Sequence, residues 1–494
     1  EAGKGGTRFV DVGPGAGMRT LIRECVPDAE VLCAARYFDK SDQALRGALW
    51  SSGIVSEPPV PDGDGLHRVL ALPSRRWRRT KCWPPDRSSE RDSCRATTTG
   101  GMASMTYTEV WEELPVALFP NGETPGRVAG ISLSGTEPSC GEVLWCRSVS
   151  DFDVAVRSLG RAVVLVDPEP DADPISLLGD VINFVQRSLI PNSRLLSRMD
   201  TVLVIRDCQC ASPVIGFARS LLSEHGADLG LRIVRFLNTN DISSLAHLPN
   251  LGEFRVVGGK IKVRQLGRHP QRTPKSDLKE HLPDGVVVIT GGFGGLGRLV
   301  AKWAADNLRC SKIVLVSRSA SSQPSSFGLS CPVDVRAADV SSRDSLVSAL
   351  SEYRGTVTTV FHCAGVVEDT LVEHAPSVYE ELYQAVAAKV LGPVNLVEAL
   401  GSEPRYVLFS SSSTAFGSPG QSVYAAANAA SDFFAENSAA DVLSIQWGGW
   451  SKSIAGSMSA KYNVNPAAGE RFLAPQQGLQ AMGTLLSDLV AGNL

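Results

Sequence analysis

The sequence has little of what announces a metal site, a membrane span or a nucleic-acid surface. Its seven histidines form no HExxH pair, and its eleven cysteines, an odd number, are scattered. Cys208 and Cys210 make a CxC with no second pair at zinc-ligand spacing. That argues against a zinc site, and reduced thiols in a cytoplasmic compartment are the expectation. No apolar run approaches a bilayer span, and the opening EAGKGGTRFV is not a signal peptide; it reads as a chain entered in mid-domain. The formal net charge is −4 and there is no long basic run, so neither a nucleic acid nor a membrane surface is an expected partner. GxSxG is also missing, which excludes a nucleophile elbow anywhere in the sequence.

What is present is enough chain for two or three domains: 494 residues, 43% hydrophobic and 20% charged. Residues 1–84 hold short apolar elements and end in LPSRRWRRTKCWPP, and the polar stretch 85–106 reads as a flexible linker. Over 107–268, strand-like runs at Arg161–Asp167, Thr201–Asp207 and Leu231–Leu237 alternate with helical segments such as Pro213–Glu224. This predicts an α/β layer with no glycine-rich phosphate loop, a nucleotide-binding type of fold that binds no nucleotide. A polar, proline-containing connector over 268–285 follows. Beyond it the strands VVVIT (286–290), KIVLVS (312–317), TTVFH (358–362), RYVLFS (405–410) and VLSIQW (442–447) alternate with helical spacers, which predicts a doubly wound parallel sheet over 269–494.

A cofactor loop sits after the first of these strands. TGGFGGLG, made of Thr290, Gly291, Gly292, Phe293, Gly294, Gly295, Leu296 and Gly297, fits GxGxxG and also TGxxxGxG. Glycines there permit a tight turn and close approach to a pyrophosphate, and the following helix offers free N–H groups and the positive end of its dipole. The next strand ends in Ser317 and Arg318, not in an acid, so the 2′-phosphate of NADPH is expected in place of the free ribose hydroxyl of NADH. Asp339, with Val340 beside it, either accepts from the adenine amino group or begins the helix at Ser341–Ser342. In FHCAGV, Gly365 lets the backbone approach the nucleotide, Cys363 and Ala364 are wall residues, and His362 is expected to pack, not to react.

Reducing a ketone needs a hydride donor, an acid for the forming alkoxide and a donor that orients the carbonyl. Tyr424 is the candidate acid and Ser411, thirteen positions earlier, the candidate carbonyl donor. A phenol near pKa 10 is a weak acid at neutral pH, and a nearby ammonium is expected to lower that value. Yet four residues after Tyr424, where such sites usually carry lysine, stands Asn428.

TGGFGGLG, LVSRS, FHCAGVVEDTL, AAKVLGPVNL, VLFSSSSTAFGSPGQSVYAAANAASDF and IQWGGW together resemble the ketoreductase domain of a modular type I polyketide synthase, within the short-chain dehydrogenase/reductase superfamily. In that family the lysine and asparagine of the tetrad exchange places. The resemblance therefore assigns the lysine to Lys389, with Asn428 positioning Lys389 or a water. It also implies that 107–268 is the family's structural subdomain, a truncated Rossmann-like fold that braces the catalytic NADPH-binding subdomain at 269–494. By the same resemblance, 1–84 would be an acyltransferase remnant with its post-acyltransferase linker, Trp77 and Trp83 standing at the linker's usual aromatic positions.

The implied reaction is NADPH-dependent reduction of a β-ketoacyl thioester. Its substrate would ride on the phosphopantetheine arm of an acyl carrier protein, with other domains of the synthase module as further partners. A fatty-acid-synthase type of ketoreductase and a redox-inactive structural domain are the alternatives. For stereocontrol the family's LDD motif falls on Val367, Glu368 and Asp369, and the tryptophan that marks A-type members falls on Phe416. Asp369 points to the B-type, D-configured alcohol.

Overall fold

The computed structural model describes residues 8–11, 30–33, 106–114, 127–134, 143–195, 200–238, 252–268, 278–319, 328–367, 369–451 and 472–492. Trp77, Trp83, Glu368 and nearly all of the 85–106 stretch lie outside them. The chain divides into two compact units, Glu1–Arg95 and Ala96–Leu494. Among the described residues of the first, β1 (Arg8–Asp11) pairs in parallel with β2 (Glu30–Cys33).

The second unit contains two sheets. The six-stranded one is built from β11 (Gly285–Thr290), β12 (Cys310–Ser317), β13 (Val333–Ala337), β14 (Val357–His362), β15 (Arg405–Ser411) and β16 (Val442–Trp447). Its order is β13-β12-β11-β14-β15-β16 and every pairing is parallel. This is the doubly wound, Rossmann-like arrangement expected from the valine- and isoleucine-rich runs. Its topological switch point lies between β11 and β14, where open α/β sheets bind ligands beyond the carboxyl ends of the strands.

Residue alternation explains why both faces of this sheet are covered. Val287, Ile289, Ile313 and Leu315 point to one side, where Val300 and Ala304 of helix α4 (Gly295–Asn307) and Met482 and Leu486 of α10 (Pro475–Val490) meet them. Val286, Val288, Val314 and Val316 point to the other, against Leu346 and Leu350 of α5 (Arg343–Leu350) and Leu396 and Leu400 of α7 (Gly392–Leu400). Each such aliphatic side chain, fully withdrawn from water, contributes about 1.5–3 kcal/mol.

The second sheet has eight strands: β3 (Tyr107–Glu113), β4 (Val128–Ser132), β5 (Val143–Trp145), β6 (Arg161–Val166), β7 (Asp200–Arg206), β8 (Leu231–Phe236), β9 (Gly252–Val257) and β10 (Lys260–Arg268). Its order is β3-β10-β9-β8-β7-β6-β4-β5, parallel except where β10 runs antiparallel to β9 and to β3. Its helices are α1 (Val149–Leu159), α2 (Pro174–Phe184), continued through a π turn at Val185–Leu189, and α3 (Ser212–Leu229).

The two halves share one core. Leu178 and Ile182 of α2 and Ile215 and Phe217 of α3 are buried in the same cluster as Leu382 and Val386 of α6 (Tyr379–Val390) and Val423 and Ala426 of α9 (Ser422–Asn437). Helices α3 and α9 approach so closely that a Cβ on Gly216 would stand 2.3 Å from the Ala425 carbonyl oxygen, so this contact requires glycine. The truncated Rossmann-like half therefore braces the two helices, α6 and α9, that carry the candidate lysine and tyrosine.

Candidate active site

The glycine loop turns as its sequence demands. Gly291 has φ +65°, and a Cβ there would stand 2.8 Å from the Ala364 nitrogen; a Cβ on Gly297 would stand 2.3 Å from the Gly291 carbonyl oxygen. Gly294 caps α4 without a side-chain hydrogen bond, so no capping side chain occupies the first N–H groups of that helix. These features fit a pyrophosphate, whose oxygens need closely approachable backbone donors. Thr290, the last residue of β11, is fully buried and belongs to a closed chain of bonds. His362 Nε2 lies 2.9 Å from the Ala388 carbonyl and Nδ1 lies 2.8 Å from Thr290 Oγ1, which also accepts from Ala364 N at 3.3 Å. Burial holds His362 well below its ordinary pKa, so the neutral ring donates from Nε2 and accepts at Nδ1. His362 packs and bridges.

Around the rest of the crevice, Ser317 is half-buried and Arg318 exposed at the carboxyl end of β12. Asp339 Oδ1 accepts from Ser341 N at 2.9 Å and Ser341 Oγ at 2.7 Å, so this oxygen serves to start the next helix. Val340 is buried, and its carbonyl accepts from Asn395 Nδ2 at 3.0 Å. Burial pushes the Cys363 thiol up to about 12, which suits an inert wall.

Ser411 ends β15 and caps the short helix α8 (Ser412–Phe416). Its Oγ accepts from Ser413 N at 3.2 Å and from Ser413 Oγ at 3.0 Å, so its own hydrogen can be directed elsewhere. Tyr424 lies in the first turn of α9, and Asn428 one turn later on the same face. Burial raises the Tyr424 phenol; hydrogen bonds from Asn428 and Ser411 pull it back, and the charge of Asp369 pushes it up. Asn428 Nδ2 also reaches the Tyr424 carbonyl at 2.9 Å, while its Oδ1 is buried without a hydrogen-bond partner.

Lys389 is supplied by the last turn of α6, with only 4% of its surface exposed. Its ammonium donates to the Phe409 carbonyl, two residues before Ser411, and its stem lies against Gly365, where a Cβ would stand 2.8 Å from Lys389 Cε. Burial lowers the ammonium to about 8, with Cys363 and Asp432 holding it partly up. The expectation that an ammonium depresses the phenol is not met: Tyr424 is raised, because burial penalises the phenolate and Asp369 adds to the effect, with Lys389 not among the groups that shift it.

Sequence reasoning gave no role to Asp432. It lies two turns beyond Tyr424 on α9 and accepts from Thr414 Oγ1 (2.8 Å), Ser444 Oγ (2.6 Å) and Gln446 Nε2 (2.8 Å). It thereby ties α9 to α8 and β16; only its place in the NAASDF run signalled it. At the stereocontrol positions, Asp369 Oδ1 accepts from Gln421 Nε2 at 3.1 Å, and Phe416 is 65% exposed.

The glycine cradle, the serine and tyrosine, and a lysine delivered from a preceding helix thus converge at the switch point. The family model described as "KR domain" matches residues 285–452. Residues 285–452 are a KR domain.

Curated relatives agree. The chain is 34% identical over 224 residues to polyketide synthase GfsA of Streptomyces halstedii, which covers 41% of the chain and 3% of the relative. It is 34% identical over 217 residues to erythronolide synthase EryA3 of Saccharopolyspora erythraea, covering 41% and 7%. It is 31% identical over 291 residues to a protein named chalcone synthase cfoA from Aspergillus candidus, covering 55% and 10%. The chain thus spans a tenth or less of the length of these three relatives. Among solved structures, an A1-type ketoreductase superposes with TM-score 0.63 at 20% identity, over 78% of this chain and 92% of that one. The ketoreductase from the first module of phoslactomycin biosynthesis in Streptomyces sp. HK803 gives 0.59 at 24%, over 76% and 89%. At such identities these likenesses show the fold of the KR domain and its bracing half.

Proposed function

We propose that the chain reduces the ketone of a β-ketoacyl thioester, carried on the phosphopantetheine arm of an acyl carrier protein, to the β-hydroxyacyl thioester with NADPH. The observation that carries this reading is the buried Lys389, whose ammonium donates to the Phe409 carbonyl two residues before Ser411, beside a glycine cradle whose helix start no side chain caps. Thr290–Gly297 and the N-terminus of α4 would hold the pyrophosphate, Arg318 and Ser317 the 2′-phosphate, and the free oxygen of Asp339 the adenine.

When bound, the reduced nicotinamide supplies a hydride to the carbonyl carbon. Ser411 donates to the carbonyl oxygen and fixes its position. Tyr424 donates to the same oxygen and gives up its Oη proton as the alkoxide forms. The phenolate left behind is stabilised by the Ser411 and Asn428 donors. Lys389 Nζ, held near 8, is the stronger acid and can return a proton to the phenolate.

The other domains of a polyketide synthase module are the further partners under this reading, and residues 1–84 the tail of its acyltransferase and the linker that follows. No helix of the described residues is long and apolar enough to cross a membrane.

Two expected outcomes test the finer points. Arg318→Ala should weaken NADPH roughly ten- to a hundredfold, the worth of one charge-assisted contact to phosphate, and leave NADH nearly unchanged in a fluorescence titration. Equal loss for both would remove Arg318 as the phosphate ligand. Asp369 supports the B-type outcome, so chiral chromatography of a reduced diketide thioester should show mainly the D-configured alcohol. A mainly L-configured product would overturn that assignment.

A further inference from the structure

Two loops flank the start of the tyrosine helix. One is residues 369–375, the other residues 417–421. They are zipped together: Thr370 N donates to the Gly420 carbonyl at 2.7 Å, and Gln421 Nε2 donates to Asp369 Oδ1 at 3.1 Å. Neither loop is fixed by the KR sheet alone; both are tied to the structural half.

One half-buried side chain of α3 holds both loops at once, and Arg194 also pairs with Glu373 in the first of them. Glu224 Oε1 accepts from Gly420 N at 2.8 Å, and Glu224 Oε2 accepts from Val372 N at 2.9 Å. Each carboxylate oxygen therefore holds one loop. Nearby, Ser220 Oγ accepts from Ser418 N at 3.3 Å. From the π turn, Gln186 Nε2 donates to the Val372 carbonyl at 2.8 Å and the Ala375 carbonyl at 2.9 Å. A π turn inside a helix is a local irregularity that often marks a functional site, and here it carries the glutamine that reaches the loop.

We propose that Glu224 is a positioning residue that sets the shape of the substrate groove, and with it which face of the ketone meets the hydride, by tethering the Asp369 loop and the loop before Tyr424 with one carboxylate. This rests on the ketoreductase reading above. The tether is separable from the brace: the halves are packed through Gly216 against Ala425 and through the shared apolar core, none of which involves Glu224. The Asp369 side chain stands three residues from one anchor, and Tyr424 four residues from the other. Loosening either anchor moves an Asp369 or a Tyr424 that the reaction needs in fixed register.

Glu224→Gln tests this. Glutamine fills the same volume, but only one of its two terminal atoms accepts, so one loop amide faces another donor. Three results are expected of the folded variant. Exchange of the Val372 and Gly420 amides, followed by hydrogen–deuterium exchange without cofactor, should quicken about tenfold or more as local opening becomes easier. The NADPH dissociation constant should stay within about twofold of wild type. KM for a β-ketoacyl N-acetylcysteamine thioester should rise, and the ratio of alcohol epimers fall, each by about tenfold.

A folded Glu224→Gln protein with wild-type KM and epimer ratio would overturn the proposal, and so would unchanged exchange at both amides. Should that variant fail to fold, Gln186→Leu removes the two donors to Val372 and Ala375 and must quicken exchange over 372–375 and erode the epimer ratio; wild-type behaviour would equally overturn it. Failure of the underlying reading is distinguishable, because wild-type protein would then give no alcohol at all, while the amide exchange would still report on the tether.

Discussion

Replacing Tyr424 by phenylalanine is expected to leave NADPH binding intact and to lower turnover roughly 10²–10⁴-fold, the range for loss of a positioned general acid. The fold tolerates the change, because the ring stays and only the hydroxyl goes. What disappears is the hydroxyl proposed to pass its proton to the alkoxide. Single-turnover mixing with NADPH already bound separates the two quantities: binding by fluorescence, chemistry by the loss of nicotinamide absorbance. Near-normal turnover would remove the tyrosine from the mechanism.

Ser411→Ala should cost about 10²–10³ in kcat, as expected when a donor aimed at a developing oxyanion is removed. Its geometry makes the number interpretable. Both Ser413 donors already point at Ser411 Oγ, so its remaining hydrogen is the one that can face the tyrosine and the substrate. The serine also caps α8, and losing a cap costs about 1 kcal/mol of stability. A thermal melt therefore moves by a few degrees for structural reasons while kcat falls much further. A kcat loss no larger than that of a neighbouring cap variant, such as Ser342→Ala on α5, would show that Ser411 only holds its helix.

The half that holds the glycine loop was largely legible in the sequence because its signals are local. β11 is a run of buried β-branched residues that enters a glycine turn, and β12, β14, β15 and β16 each announce themselves by the same residue types. Ser411 and Tyr424 were legible from their spacing, but Lys389 and the role of Asn428 only through family resemblance. Nothing in the spacing of AAKVLGPVNL says that Lys389 will reach a site some thirty-five positions later in the chain. That it does follows from α6 packing beside α9 in the shared core.

What the sequence hid is the set of long-range polar ties. Arg219 pairs with Glu253 through two hydrogen bonds at 2.7 and 2.8 Å, and its third nitrogen donates to the Thr414 carbonyl at 2.7 Å. Arg264 reaches the neighbouring Ala415 carbonyl. As letters, Arg219 and Glu224 are ordinary charges on a helix. Only the position of α3 against α8 and α9 turns Arg219 toward the helix that follows Ser411 and Glu224 toward the loops near Tyr424. Likewise, burial shifts both Tyr424 and Lys389, and burial cannot be read from residue identity.

The central claim, that Tyr424 and its neighbours carry hydride reduction of a β-ketoacyl thioester, is tested most directly by label transfer. The full chain is incubated with NADPH deuterated at the transferable C4 position and a β-ketoacyl thioester, and the product is analysed by mass spectrometry. The account predicts a β-hydroxyacyl thioester with one deuterium at C3, formed by wild type and nearly absent with Tyr424→Phe. Cofactor binding without any deuterated alcohol would contradict it.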